Sequence, residues 1–383
     1  MKSDRYIPVH LDEIVESLCR DFYAGRERSF QTFAWLWENL TEHEFGELEE
    51  SLKKKYFFYS PDEDTVTQRS PSPEELEEIK QGFLAELDAL FDRANFTRIG
   101  REEFEEALRA GTSRGLKIIV NLEDYEEFRL YFRGVGRRSR SFRNLKTLYR
   151  HREEEIDIYL RAATVTKLSA EKPVFLKLFK EIPVRDIESL LPRTKVKMKL
   201  FDKMKIGGST GAAVFAGVRT ALKGILFVGK GLAVPLILGV ASVYLGKSII
   251  GWFNMRDRYR TRLIRDLFYQ NLANNLGVIN RLVDAAEEEE SSEAVLAYAF
   301  AQAAEAPPTP GEIKERIETW FRETWNAGVD FDVPDAVEKL HTRGLAELRD
   351  GRVVVVPLEE AARILDAKWD SLFTPPGDGA CTT

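Results

Sequence analysis

The stretch IGGSTGAAVFAGVRTALKGILFVGKGLAVPLILGVASVYLGKSIIGWF, residues 206–253, decides how the rest of the chain is read. It contains two apolar runs, Ile206–Val228 and Gly231–Phe253, joined by Gly229 and Lys230. As a helix, each run is long enough to cross the roughly 30 Å of bilayer hydrocarbon. The expectation is a two-helix transmembrane hairpin over 204–254. The second run keeps its one charge, Lys247, near its end, where a long side chain can snorkel. The first holds Arg219 and Lys223, which cost about 3 kcal/mol each near the bilayer centre, so it needs a partner helix. Ala213, Gly217 and Ala221 recur every four residues and offer that partner a smooth ridge. Arg219 and Lys223 then point away from the ridge and become candidate residues for an anion-favouring pore or a lipid headgroup site. The same two charges favour the other reading, a buried helical hairpin in a soluble core.

Flanking charge sets the expected orientation. Lys195, Lys197, Lys199, Lys203 and Lys205 precede the hairpin, and Arg256, Arg258, Arg260, Arg262 and Arg265 follow it. Both flanks, and so both termini, are expected in the cytoplasm of a bacterial, multi-pass membrane protein. The N-terminus lacks the apolar core of a signal peptide. Cys19 and Cys381 are too few for a disulfide framework or a zinc site, and the four histidines show no ligand spacing. No nucleophile elbow, phosphate loop or dinucleotide fingerprint is present, so the sequence calls for no catalytic, cofactor or metal residues. The formal charge of −7, with its basic residues crowded around the apolar stretch, argues against a nucleic-acid partner.

The remainder reads as an α+β protein. Residues 1–115 form a helical N-terminal region, with Leu11, Ile14, Val15, Leu18 and Phe22 on one face and Phe30, Phe33, Leu36, Trp37 and Leu40 on the next. Ser72 and Glu75 make a capping box, with Pro73 at the first helical position. Residues 116–203 turn to strands. The segments LKIIVNL, FRLYFRGV, EIDIYLRAATVTKL and PVFLKLFKEIP are rich in β-branched and aromatic residues and suggest an antiparallel meander. Between the second and third, Arg133, Arg137, Arg138, Arg140 and Arg143 read as a basic loop able to meet anionic lipid headgroups.

After the hairpin, 255–305 predicts long helices. Ile264, Phe268, Leu272, Leu276, Ile279 and Val283 make one apolar stripe, with Asn271 and Asn275 one turn apart beside it. Glu287–Glu290 with Ser291 and Ser292 reads as a solvated stretch or bend, and Ala294–Ala304 as a small-residue packing helix. Residues 306–373 give two helices, a hairpin around Asp350–Gly351 and a last helix, a winged-helix-like module whose acidity suits protein contact better than DNA. Residues 374–383 are expected to be a disordered tail.

Several motifs in order carry a resemblance. VFLKLFKEIP (174–183) holds Lys177, Phe179, Lys180 and Pro183, and DIESLLP (186–192) holds Asp186, Glu188 and Pro192. LFYQNLANNLGV (267–278) adds Asn271, Asn274 and Asn275, and VDFDVPDA (329–336) and WDSLF (369–373) follow. Over roughly 116–373 the chain resembles the uncharacterised membrane-protein family typified by transmembrane protein 143, a domain-of-unknown-function family. The resemblance implies a membrane hairpin directly after the 174–192 signature, and no reaction or cofactor. Lys177, Lys180, Asp186 and Glu188 read either as a charged site at the membrane surface or as a strand-to-helix corner held by local ion pairs. The functional expectation is a membrane-anchored structural or regulatory protein that recruits a protein partner or a second copy. An oligomeric anion-favouring channel or anionic-lipid binder is the alternative.

Overall fold

The computed structural model describes residues 5–62, 64, 71–100, 102, 104, 116–119, 122–143, 151–184, 190–191, 195–198, 261, 265 and 267–372. Two helices open the chain, α1 (Leu11–Phe22) and α2 (Glu27–Tyr56), and each buries the apolar face its spacing creates. Helix α3 (Pro73–Arg93) begins at a capping box, in which Ser72 Oγ accepts from Glu75 N at 3.2 Å and Glu75 Oε2 accepts from Ser72 N at 2.8 Å. It ends at Asn95, whose left-handed φ of 56° lets Phe96 N reach back to Phe91 O at 2.9 Å.

Strands β1 (Thr97–Arg98), β3 (Tyr125–Arg143), β4 (His151–Leu168), β5 (Val174–Pro183) and β7 (Asn271–Asn274) form one antiparallel sheet in the order β1-β3-β4-β5-β7. Strands β2 (Leu116–Ile119) and β6 (Lys195–Met198) pair separately. Tyr131, Ala163, Val165, Leu176 and Leu178 point from the sheet toward the helices, and Leu130, Ala162 and Phe179 form a smaller core on the other face. A bend crosses the sheet where Gly134 (φ 72°) and Glu181 (φ 53°) flank Leu160. A Cβ on Gly134 would lie 2.7 Å from Leu160 Cδ1, so only glycine lets the strands approach there.

Helix α4 (Leu276–Gln302) follows β7 directly. Then come α5 (Pro310–Trp325), α6 (Val333–Thr342), the hairpin β8 (Ala346–Arg349) and β9 (Arg352–Val355), and α7 (Leu358–Leu372). Asp350 and Gly351 turn the hairpin with φ of 51° and 74°, as a tight two-residue turn requires. The hydrophobic interior has two principal cores. One joins α1, the first half of α2, the second half of α4, α5, α6 and α7, and the other joins the second half of α2, α3, the sheet and the first half of α4. Helices α2 and α4 therefore belong to both.

Four sequence expectations are corrected. The first is membrane character. Among the described residues no helix is long and apolar enough to cross a membrane. Helices α2 and α4, at 30 and 27 residues, have the length, but glutamates and lysines interrupt their apolar faces. Among those residues the architecture is a mixed helix and sheet fold with a five-stranded antiparallel sheet, and none of its helices supports the expected membrane protein or its multi-pass location in a bacterial membrane. The 204–254 hairpin, with Arg219 and Lys223, lies outside the described residues.

The second correction is the apolar stripe from Ile264 to Val283, which is not one helix. Strand β7 interrupts it, and Phe268 is 75% exposed. Asparagines are poor helix formers, and here the 271–275 backbone finds its partners on β5 instead. The third is the expected bend at Glu287–Ser292, which is an uninterrupted part of α4 and largely buried. The fourth is the basic loop, which is a strand. From Arg137 to Arg143 its backbone is laid in register against Asp157 to His151, and Arg137 lies 3.6 Å from Asp157.

Candidate functional site

The densest polar feature lies midway along α4, where both cores meet. Glu289, Glu290 and Glu293 are 4%, 8% and 4% exposed. Ionised carboxylates are stable at that depth only when other groups replace water, and four separate segments supply those groups. Arg93, at the end of α3, holds Glu290 through two bonds, Nε to Oε1 at 2.5 Å and Nη2 to Oε2 at 2.9 Å, while its guanidinium stacks 3.9 Å from the Phe45 ring. Lys339 of α6 donates to Glu293 at 2.6 Å and lies 2.7 Å from Asp335. The Asn95 amide, aimed by its left-handed backbone, donates to Glu289 at 3.1 Å and to Glu293 at 2.9 Å. Ile7 N of the N-terminal segment donates to Glu289 at 3.2 Å.

Arg133 of β3 closes this node. Its Nη1 is 3.6 Å from Glu289 Oε1 and 3.3 Å from Ala94 O, and its guanidinium lies over the rings of Tyr6 and Phe96 at 4.4 and 5.1 Å. Burial pushes the Glu289 carboxyl up to about 8, against the pull of Arg133 and its two N–H donors. A second group of carboxylates sits one turn earlier, toward solvent. Burial, helped by Glu42, Asp284 and Glu38, pushes Glu287 up to about 7. His10 Nδ1 meets the neighbouring Glu288 at 2.5 Å, and that bond raises the His10 pKa. Chemically, the node is a clamp that fixes the N-terminal segment, α3, the sheet and α6 to one helix.

The motif residues singled out in the sequence fall elsewhere. Strand β5 sets Lys177 opposite Asn274, and Phe179 opposite Asn271. Lys177 and Lys180, three apart on one strand, point to opposite faces, so they do not form a common charged site. Phe179 and Pro183 are buried. Asp186, Glu188 and Pro192 lie outside the described residues. The asparagines have structural work. Asn275, at φ 49°, accepts from Leu176 N through Oδ1 at 3.3 Å, donates its own N–H to Leu176 O at 2.8 Å, and donates Nδ2 to Asp62 at 2.6 Å. It thereby prolongs the β5–β7 ladder by one step before α4 starts. In the amide orientation that suits its neighbours, Asn271 Oδ1 accepts from Asn274 Nδ2 at 2.8 Å.

The C-terminal elements carry a cleft of about 300 Å3, walled by His341, Glu347, Arg349 and Val354–Pro357. His341 Nδ1 is fixed on Ala346 O at 3.0 Å, and Glu347 pairs with Arg349 at 2.6 Å. Leu348, on the same hairpin, is 59% exposed. Among the described residues no group of three metal-ligating side chains comes together.

Sequence reasoning missed the glutamate node because a run of four glutamates and two serines has no apolar signature. Its cations come from far along the chain; Arg93 is 197 residues from Glu290. The cleft had one signal, the Asp350–Gly351 turn that placed the hairpin.

No solved structure matches the chain. The profile of a family described as a protein of unknown function, DUF3754, matches residues 130–277, from within β3 to the first residues of α4. The match thus includes both strands of the β5–β7 pair and the asparagines that join them. It carries neither the transmembrane protein 143 name nor a membrane character. Over 130–277, then, this chain is similar to a domain family whose function is not established.

Proposed function

We propose that this protein is a non-catalytic regulatory adaptor that recruits a protein partner through its C-terminal hairpin. The observation that supports this is the hairpin cleft. It is walled by a paired Glu347 and Arg349 and the apolar Val354–Val356, and the opposite face of the same hairpin carries the exposed Leu348. Exposed apolar surface beside charge is the composition of a protein-contact surface, and a cleft whose Glu347 and Arg349 pair with each other and whose His341 is held by Ala346 O suits a peptide segment better than a reacting small molecule.

The test is site-specific photo-crosslinking in the full chain, expressed in its own cells, from Leu348 and Val354, with the exposed Arg322 of α5 as the control position. A discrete adduct from the hairpin positions, lost when Glu347→Lys and Arg349→Glu are introduced together, is the expected result. Hairpin adducts no different from those at position 322 would overturn the proposal.

A further inference from the structure

Nearly every cation that this fold draws in from solvent meets a carboxylate. Lys80 and Lys167 share Glu126, Arg129 holds Asp88, Arg93 holds Glu290, Lys339 holds Glu293, and Arg343 holds Glu44. Arg161 breaks that pattern. It lies in the middle of β4, half-buried, and its one side-chain hydrogen bond among the described residues runs from Nη1 to the adjacent Leu160 carbonyl at 3.0 Å.

The neighbours of Arg161 are cations as well. The sheet register puts Arg133 beside it on β3 and Lys180 beside it on β5, all three on the face toward the helices. Arg281 acts on it from α4, where it lies between Ile279 and Leu282, which share a core with Ala163 of β4 and Leu178 of β5. Burial first, and then Arg133 and Arg281, lower the Arg161 pKa, with only the Tyr6 hydroxyl working the other way. Among the described residues neither Lys180 nor Arg281 lies within ion-pair distance of a carboxylate; Asp284, one turn beyond Arg281, stays outside it. Arg133 is already committed to Glu289, the Ala94 carbonyl and the Tyr6 ring. Arg161 thus has Lys180 beside it in the sheet and Arg281 acting on it from α4, and among the described residues none of the three has a carboxylate within ion-pair distance.

We infer that Arg161, Lys180 and Arg281 form a binding site for a phosphate-bearing anion. Two guanidinium groups and an ammonium match the charge and the several acceptor oxygens of a phosphate dianion, whereas a single carboxylate leaves most of the repulsion in place. Lys180 and Arg281 are exposed, so the site opens to solvent. The inference stands apart from the adaptor proposal, since the two sites share no residue.

The experiment is calorimetric titration of the full chain with inorganic phosphate and with pyrophosphate, alongside thermal unfolding, with sodium acetate at equal ionic strength as control. Both phosphate ligands are expected to bind saturably and to raise Tm, while acetate does neither. Arg281→Gln and Lys180→Gln, chosen because both side chains are exposed, should each weaken binding about tenfold, the effect of losing one charge-assisted contact. In phosphate-free buffer the same variants should unfold no earlier than the parent, because removing one of three clustered cations relieves repulsion. An absent saturable response, an equal response to acetate, or affinities unchanged by both substitutions would each overturn the site. So would a loss of stability in phosphate-free buffer with binding retained, which marks a structural role.

Discussion

Two adjacent segments of α4 reach the same burial by opposite means. Ala294–Ala301 is enclosed on every side because its residues are apolar and mostly small, and Tyr298 completes the fit by stacking 4.2 Å from Phe33 and donating to Val356 O at 2.9 Å. Glu289–Glu293, immediately before it, is enclosed because Arg93, Arg133, Lys339 and Asn95 replace water around each carboxylate. The apolar segment gains from burial by itself. The acidic segment gains nothing from burial alone, and its worth depends on every partner being present. What the difference teaches is where specificity lies. Many apolar sequences could fill the first segment, but the second can be buried only when four distant parts of the chain are correctly placed.

That contrast predicts unequal sensitivity to substitution. Glu293→Ala leaves the Lys339 ammonium and the Asn95 amide without their main acceptor in a largely closed site, and should cost about 3–5 kcal/mol in urea unfolding. Adding Lys339→Met should return much of that loss. Non-recovery in the double variant would break the claim that the pair acts as a unit. Ala297→Leu tests the neighbouring segment, where overpacking a fully buried position should cost about 1–3 kcal/mol. Tyr298→Phe keeps the ring and removes one hydrogen bond, for about 1 kcal/mol. If the apolar changes cost more than Glu293→Ala, the comparison is wrong.

The same contrast explains what the sequence could disclose. The stripes of α1 and α2, the Ser72–Glu75 box, the meander of β3, β4 and β5 and the Asp350–Gly351 turn were legible because each is specified by residues close together in the chain. Strand β7 was not, since four residues cannot establish an alternation and only β5, some ninety residues earlier, makes them a strand. Arg137 of β3 read as part of a loop because its acidic partners, Glu155 and Asp157, lie on β4, although the acidic run Glu153–Glu155 was a usable clue to that strand pairing. Arg161 lay unnoticed among the other charged residues of β4. Its importance comes from Lys180 and Arg281, which no spacing in the sequence connects to it.

The smallest expected effect concerns the outer carboxylates, and its sign follows from which form the fold prefers. Glu287 is faced by Asp284 and Glu288 of its own helix and by Glu38 and Glu42 of α2, and burial with these neighbours places it at about 7. Glu38 and Asp284 are also raised by burial, and His10 is raised by its bond to Glu288. Each of these groups binds its proton more tightly in the folded chain than in the unfolded one. Their contribution to stability is therefore complete below the unfolded carboxyl value of 4.5 and is lost as pH climbs to the folded values, so Tm should fall from about pH 4.5 upward through 7. Glu287→Gln removes one titrating proton, and the slope should become shallower by less than about 1.4 kcal/mol per pH unit, the limit for a single group. The apolar segment has no such group, and Tyr298→Phe should leave the slope as it is. A slope unchanged by Glu287→Gln, in thermal melts across that range, would show that this carboxyl stays ionised and that the outer seam is solvated like any surface.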